Sequence, residues 1–121
     1  MRDERLNEII KLRKDAALRG EPVLREASFA LLLETIEKYN PKRILEIGTN
    51  EGLSSSAMLI VAENARLTGV EIDEDKVDIA KSNYRIFGVS GRAKIFCGDA
   101  CDIIPALSGE YDFIFLDGPK G

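Results

Sequence analysis

Hydrophobic and polar positions change rhythm once along this chain. Over residues 3–19, Leu6, Ile9, Ile10 and Ala17 recur at helical spacing until Gly20 and Pro22 interrupt them, which predicts a helix. A second helix is predicted over roughly 24–39, with Leu24, Ser28, Leu31, Leu32, Thr35 and Tyr39 on one face and Asn40-Pro41 as its stop. Beyond it, short apolar runs at 43–48, 67–72, 93–97 and 111–117 alternate with helical stretches at 53–63, 74–87 and about 101–107. That βαβαβαβ order implies a parallel sheet with helices on its faces. In the 74–87 stretch, Val77, Ala80, Tyr84 and Phe87 mark the inner face, Asp73 or Glu74 begins the helix and Gly88 ends it.

The expected fold is therefore α/β, a Rossmann-like doubly wound parallel sheet preceded by two N-terminal helices. Residues 1–40 form the helices and residues 41–121 the core. The fourth strand, YDFIFLD, is followed only by Gly118-Pro119-Lys120-Gly121. A doubly wound sheet continues with a helix and further strands, so we expect an incomplete sheet of the first four strands, the front part of a longer protein. An apolar edge from Tyr111 to Asp117 should seek a partner, and a homodimer or larger species is expected.

Composition narrows the function classes. With 121 residues the chain is one domain at most, and 45% hydrophobic and 31% charged residues are ordinary for a soluble protein. No apolar run approaches the ~18–20 residues that span a bilayer, and no signal-peptide pattern opens the chain, so no membrane partner and a cytoplasmic location are expected. The net charge of −4 argues against a dominant phosphate-binding surface. Residues 1–43 hold ten Lys/Arg against eight Asp/Glu, which reads as a solvated helix face. There is no His, and Cys97 and Cys101 are the only cysteines, so a zinc site of the usual N/S type lacks ligands. Cys97 reads as a buried strand residue, and Cys101 lies near a helix start.

Candidate chemistry gathers at the strand ends. In ILEIGTNEGLS, residues 44–54, a buried strand runs into Gly48, a glycine turn follows, and a helix begins after Gly52. Such a turn presents backbone N–H groups and the positive end of a helix to a small, partly anionic ligand. In parallel α/β sheets ligands bind beyond the carboxyl ends of the strands. Here those ends carry Glu46-Ile47-Gly48, Glu71, Gly98-Asp99-Ala100 and Asp117. Glu71 closes the second strand, where a carboxylate can accept both hydroxyls of a ribose. Ser54 is either a helix N-cap or a hydroxyl facing a ligand carboxylate. Asp99 either caps the next helix or faces an adenine amino group. Glu46 is an acid inside a strand buried on both faces, which implies a hydrogen-bonding role near the glycine turn. A dinucleotide fingerprint, G-x-G-x-x-G, is disfavoured, because Asn50 carries a side chain where the middle glycine admits a pyrophosphate.

These residues resemble class I S-adenosylmethionine-dependent methyltransferases. More narrowly, they are similar to cation-dependent O-methyltransferases related to the catechol and caffeoyl-CoA enzymes, a group that includes bacterial tRNA 5-hydroxyuridine methyltransferases. The likeness covers roughly residues 22–121, through PVLREA, ILEIGTNEGLSS, LTGVEID, FCGDACDIIPAL and YDFIFLDGPKG. It implies that the Gly48–Gly52 loop, Thr49 included, passes the methionine part of the cofactor, with Glu46 beside it and Ser54 on the carboxylate. Glu71 would hold the ribose, and Asp99 with Ala100 would border the adenine. Asp117 matches a residue that borders the cofactor and is the first carboxylate ligand of a divalent metal, usually Mg²⁺, expected in the full-length enzyme because the other ligands, typically an Asp-Asn pair after strand five, have no counterpart in these residues. Lys120 matches a possible general base. Gly118-Pro119 departs from the Ala-Ala or bulkier residues usual there, and Leu53 replaces a frequent Tyr. The implied activity is methyl transfer to a hydroxyl of a small molecule or a modified tRNA uridine. The alternative is a cofactor-binding or self-associating half domain without turnover. With Lys120 one residue from the end, this chain is expected to bind cofactor far better than it turns it over.

Overall fold

The computed structural model describes residues 2–117. Two helices, α1 (Arg2–Leu18) and α2 (Glu26–Tyr39), precede strand β1 (Arg43–Ile47), helix α3 (Leu53–Val61), β2 (Arg66–Glu71), α4 (Glu74–Ile86), β3 (Ala93–Cys97), the single turn α5 (Ala100–Ile103) and β4 (Phe113–Leu116). All strand pairs are parallel, in the order β3-β2-β1-β4. The chain steps outward from β1 to β3, then crosses back to place β4 on the free side of β1. The strand order therefore reverses between β1 and β4, which opens a crevice at their carboxyl ends.

Helix α3 is the centre of the core. Every residue from Leu53 to Ile60 is buried, between the sheet and α1, α2 and α4. Its three consecutive serines are tolerated where hydroxyls find acceptors: Ser56 Oγ donates to Gly52 O at 2.7 Å and Ser55 Oγ to a carboxylate on β1. Helix α4 follows the sequence reading. Asp73 caps it by accepting from the N–H groups of Asp75 and Lys76, and Val77, Ala80, Tyr84 and Phe87 are buried. Gly88, at φ +72°, ends it.

The structure corrects the inner faces of the first two helices. On α1, Ile9, Arg13 and Ala16 are buried while Ala17 is exposed. On α2 the buried residues are Phe29, Leu32 and Ile36, whereas Ser28, Leu31 and Tyr39 face solvent. Apolar residues at 29, 31, 32, 33 and 36 surround too much of α2 to define one stripe. Docking on α3 selects the side, and each large side chain buried there contributes about 1.5–3 kcal/mol.

The predicted helix at 101–107 is also shorter. After Ile103 the backbone tightens into a 3-10 turn at Ile104–Ala106, because Pro105 lacks an N–H and cannot continue an α-helix. Cys97 is exposed rather than buried, since β3 is an edge strand. At the other edge, β4 packs Phe113 and Phe115 against the core, while Ile114 and Leu116 are 58% and 69% exposed. Among the described residues no helix is long and apolar enough to cross a membrane.

Candidate functional site

The glycine turn folds back onto the end of β2. The N–H groups of Gly48 and Thr49 both donate to Val70 O, at 2.8 and 3.2 Å. Three residues take left-handed backbone, Gly48 (φ +85°), Asn50 (φ +56°) and Gly52 (φ +79°). Glu71 holds this shape. Its Oε1 accepts from Asn50 N at 2.7 Å and its Oε2 from Asp73 N at 2.9 Å. This bracing role is additional to the ligand role expected of Glu71. The two are compatible, because an ionised carboxylate has about four lone-pair sites.

Gly52 has a packing reason to be glycine besides the ligand approach expected of its loop. A Cβ there would stand 3.0 Å from both Ala80 Cβ and Tyr84 Cε1, so the missing side chain makes room for α4. Gly69 acts similarly: it sits opposite Glu46 in the sheet, and any Cβ would collide with the Thr49 hydroxyl.

Two hollows flank the turn. The first, of about 280 Å³, gathers Gly48, Glu71, Asp99 and Ala100 from the ends of β1, β2 and β3. Asp99 is exposed and caps α5 by accepting from Cys101 N at 2.8 Å, so it fills the capping alternative while also lining this hollow. The second hollow gathers Thr49, Asn50, Ser54 and Asp117 with Arg13 and the Pro22–Leu24 segment. Ser54 is not the cap of α3. That position is Gly52, and Ser54 lies in the first turn, on the wall of the hollow.

Arg13 was not anticipated. Its guanidinium, only 2% exposed, donates to Leu24 O, lies 3.5 Å from Glu26 and sits 3.9 Å over the Phe29 ring. The available signal was a charge within the apolar stripe of α1, four residues after Ile9 and three before Ala16. Among the described residues, four buried side-chain polar atoms have no hydrogen-bond partner: Arg13 Nε, Thr49 Oγ1, Asn50 Oδ1 and Glu46 Oε2. Three of the four belong to residues lining the second hollow. Buried polar atoms are rarely left unpaired unless something else completes them.

Glu46 lies behind the turn, fully buried. Ser55 Oγ donates to its Oε1 at 2.6 Å, and Tyr84 OH donates to Ser55 Oγ at 3.0 Å. Burial pushes the Glu46 carboxyl up to about 8, opposed by the Ser55 hydrogen bond and reinforced by the charges of Asp117 and Glu71. Thr49 is near enough to damp the rise, but its hydroxyl makes no well-formed hydrogen bond. Stability should follow. Below about pH 4.5 the group is protonated in both folded and unfolded chains. Between that and about pH 8 the unfolded chain ionises while the fold retains the proton. Folding therefore weakens as pH rises through this window, by up to about 1.4 kcal/mol per pH unit, and levels off above it. Denaturant titrations across that range should show this slope, and Glu46→Gln should remove it.

Asp117 is half-buried. Its carboxyl is raised by burial and lowered by Arg13. Among the described residues no three His, Cys, Asp or Glu side chains gather around Asp117, the one expected metal ligand that this chain carries, and its carboxylate feels the Arg13 guanidinium. Lys120, expected as a general base, lies outside the described residues.

The sequence pattern of the O-methyltransferase family matches residues 4–121. An O-methyltransferase of Aspergillus hancockii is 31% identical over 96 residues, which are 78% of this chain and 38% of that protein. A catechol O-methyltransferase of Niastella koreensis is 36% identical over 84 residues, 65% of this chain and 38% of that one. The structure of an O-methyltransferase from Bacillus cereus in complex with SAH superposes with a TM-score of 0.76 at 27% identity, over 95% of this chain and 54% of that one. TomG of Streptomyces achromogenes, an O-methyltransferase solved with SAM, gives 0.78 at 25% identity, over 95% and 53%. The chain thus spans 38–54% of the length of these relatives. Because the family pattern runs through both N-terminal helices, the glycine turn and all four strands, the chain belongs to the O-methyltransferase family.

Proposed function

We propose that this chain binds S-adenosylmethionine across the Gly48–Gly52 turn, as part of an enzyme that methylates a hydroxyl group. The observation that carries the reading is the pair of hollows on either side of that turn. One ends at a strand-terminal carboxylate, and the other is lined by Arg13, Thr49 and Asn50, each of which carries a buried polar atom without a partner. Family membership and the relatives solved with SAH and SAM support it.

In this reading the first hollow takes the adenosine, with Glu71 accepting from the ribose hydroxyls and Asp99 and Ala100 bordering the base. Gly48 and Thr49 carry the backbone past the ligand, and Ser54 with the first turn of α3 faces the methionine carboxylate. Asp117 closes the crevice at the end of β4, where its N–H donates to Ile47 O at 2.8 Å. Bound S-adenosylmethionine supplies an electrophilic methyl group on a sulfonium. The chain's part is to hold that group in line with an acceptor oxygen, the positioning on which such transfers depend. The acceptor class stays as the resemblance implies, a small molecule or a modified tRNA uridine, with Lys120 as the proposed base. Asp117 is the residue of this chain that would hold a divalent cation, which would orient and acidify the acceptor hydroxyl.

Titration calorimetry tests the reading. S-adenosylhomocysteine should bind with one-to-one stoichiometry, and NAD should give no comparable heat. Tighter binding of NAD, or no binding of S-adenosylhomocysteine, would overturn it.

A further inference from the structure

We propose that Arg13, on the N-terminal helix, is a specificity-determining residue of the second hollow: its guanidinium selects ligands that end in a carboxylate. The inference deepens the reading above and rests on it. Arg13 is a buried cation whose neutralising partner is mostly in water, since the Glu26 side chain is 59% exposed. Its Nε has no partner at all. Burying a guanidinium incompletely paired is costly, and Arg13 is among the residues that line the second hollow.

The surroundings define the ligand's chemistry. Arg13, Ser54 and the start of α3 bring positive charge and N–H or O–H donors to the hollow. The Asp117 carboxylate brings an acceptor to the same space. Arg13 and Asp117 are close enough to feel each other's charge. A cation with donors facing an anion with an acceptor complements a zwitterion, the α-amino-acid end of a ligand, better than it does an uncharged tail. A competing account makes Arg13 only a tie between α1 and the Leu24 carbonyl. The two accounts differ in which ligands a change at 13 affects.

The experiment compares S-adenosylhomocysteine with 5′-methylthioadenosine, which lacks the amino-acid end, on the wild-type chain, Arg13→Gln and Arg13→Lys. Arg13→Gln should weaken S-adenosylhomocysteine about tenfold or more, as loss of a charge-assisted hydrogen bond does. It should change 5′-methylthioadenosine less than about twofold, and Arg13→Lys should restore part of the loss. Equal weakening of both ligands, or unchanged S-adenosylhomocysteine binding, would overturn the proposal while leaving cofactor binding intact. If the wild-type chain binds neither ligand, the functional reading fails and this inference falls with it. Should Arg13→Gln not fold, Arg13→Lys decides, since it should still weaken S-adenosylhomocysteine while leaving 5′-methylthioadenosine within about twofold. Equal weakening of both ligands by Arg13→Lys, or none of either, overturns the proposal.

Discussion

Gly52→Val is expected to cost the fold rather than only the ligand. Gly52 sits at φ +79°, which a β-branched residue adopts only at a penalty of roughly 1–2 kcal/mol. Its new Cβ would also press on Ala80 Cβ and Tyr84 Cε1 at 3.0 Å and on Ala80 Cα at 3.1 Å. Helix α4 would have to move away from α3, and overpacking of this kind costs typically 1–3 kcal/mol more. The movement would strain the Tyr84–Ser55–Glu46 hydrogen-bond chain, whose members are all buried. A total near 3 kcal/mol or more is a large part of a domain stability of about 5–15 kcal/mol. Urea denaturation measures it directly. An unchanged midpoint with lost ligand binding would instead return Gly52 to the ligand-facing role read from sequence.

The largest effect on binding is expected from Glu71→Ala. That change removes a ribose acceptor and also releases the Asn50 and Asp73 N–H groups that Glu71 holds. Each unpaired, partly buried donor costs about 1–3 kcal/mol. S-adenosylhomocysteine affinity should therefore fall by at least tenfold to a hundredfold, with a drop in thermal stability alongside it. Glu71→Gln separates the two roles. Its amide keeps one acceptor but turns an NH₂ toward the other donor, so one brace survives while the charge is lost. A Gln variant with native stability and weakened affinity identifies the ribose role. An Ala variant that binds as tightly as the native chain would remove Glu71 from the site.

Much of the architecture was legible in the order of residues. Apolar runs placed all four strands within one to two residues of their observed ends. The alternation with helical stretches implied parallel pairing, and Asp73 and Gly88 bounded α4 as read. The candidate residues of the glycine turn, β2, β3 and β4 did converge on one rim, divided between two hollows. These features come from rules that act within a few residues: side-chain period, capping, turn conformation, and the confinement of parallel strands to covered sheets.

The features missed from sequence depend on contacts between distant parts of the chain. Local apolar pattern found Leu32 but not Phe29 and Ile36 on the inner face of α2; the surface of α3 chose them. The glycine at 52 reads alone as room for a ligand, and only the approach of Ala80 and Tyr84 shows that it admits a helix. Arg13 meets the hollow because α1 and α2 both lean on α3. Glu46 keeps its proton because Ser55, Tyr84 and the buried strand surround it. The sequence by itself determined the elements, their order and the acids at the strand ends. The tertiary structure decided burial, partner and charge state, because desolvation and electrostatic fields are summed over whatever the fold brings near, whatever its place along the chain.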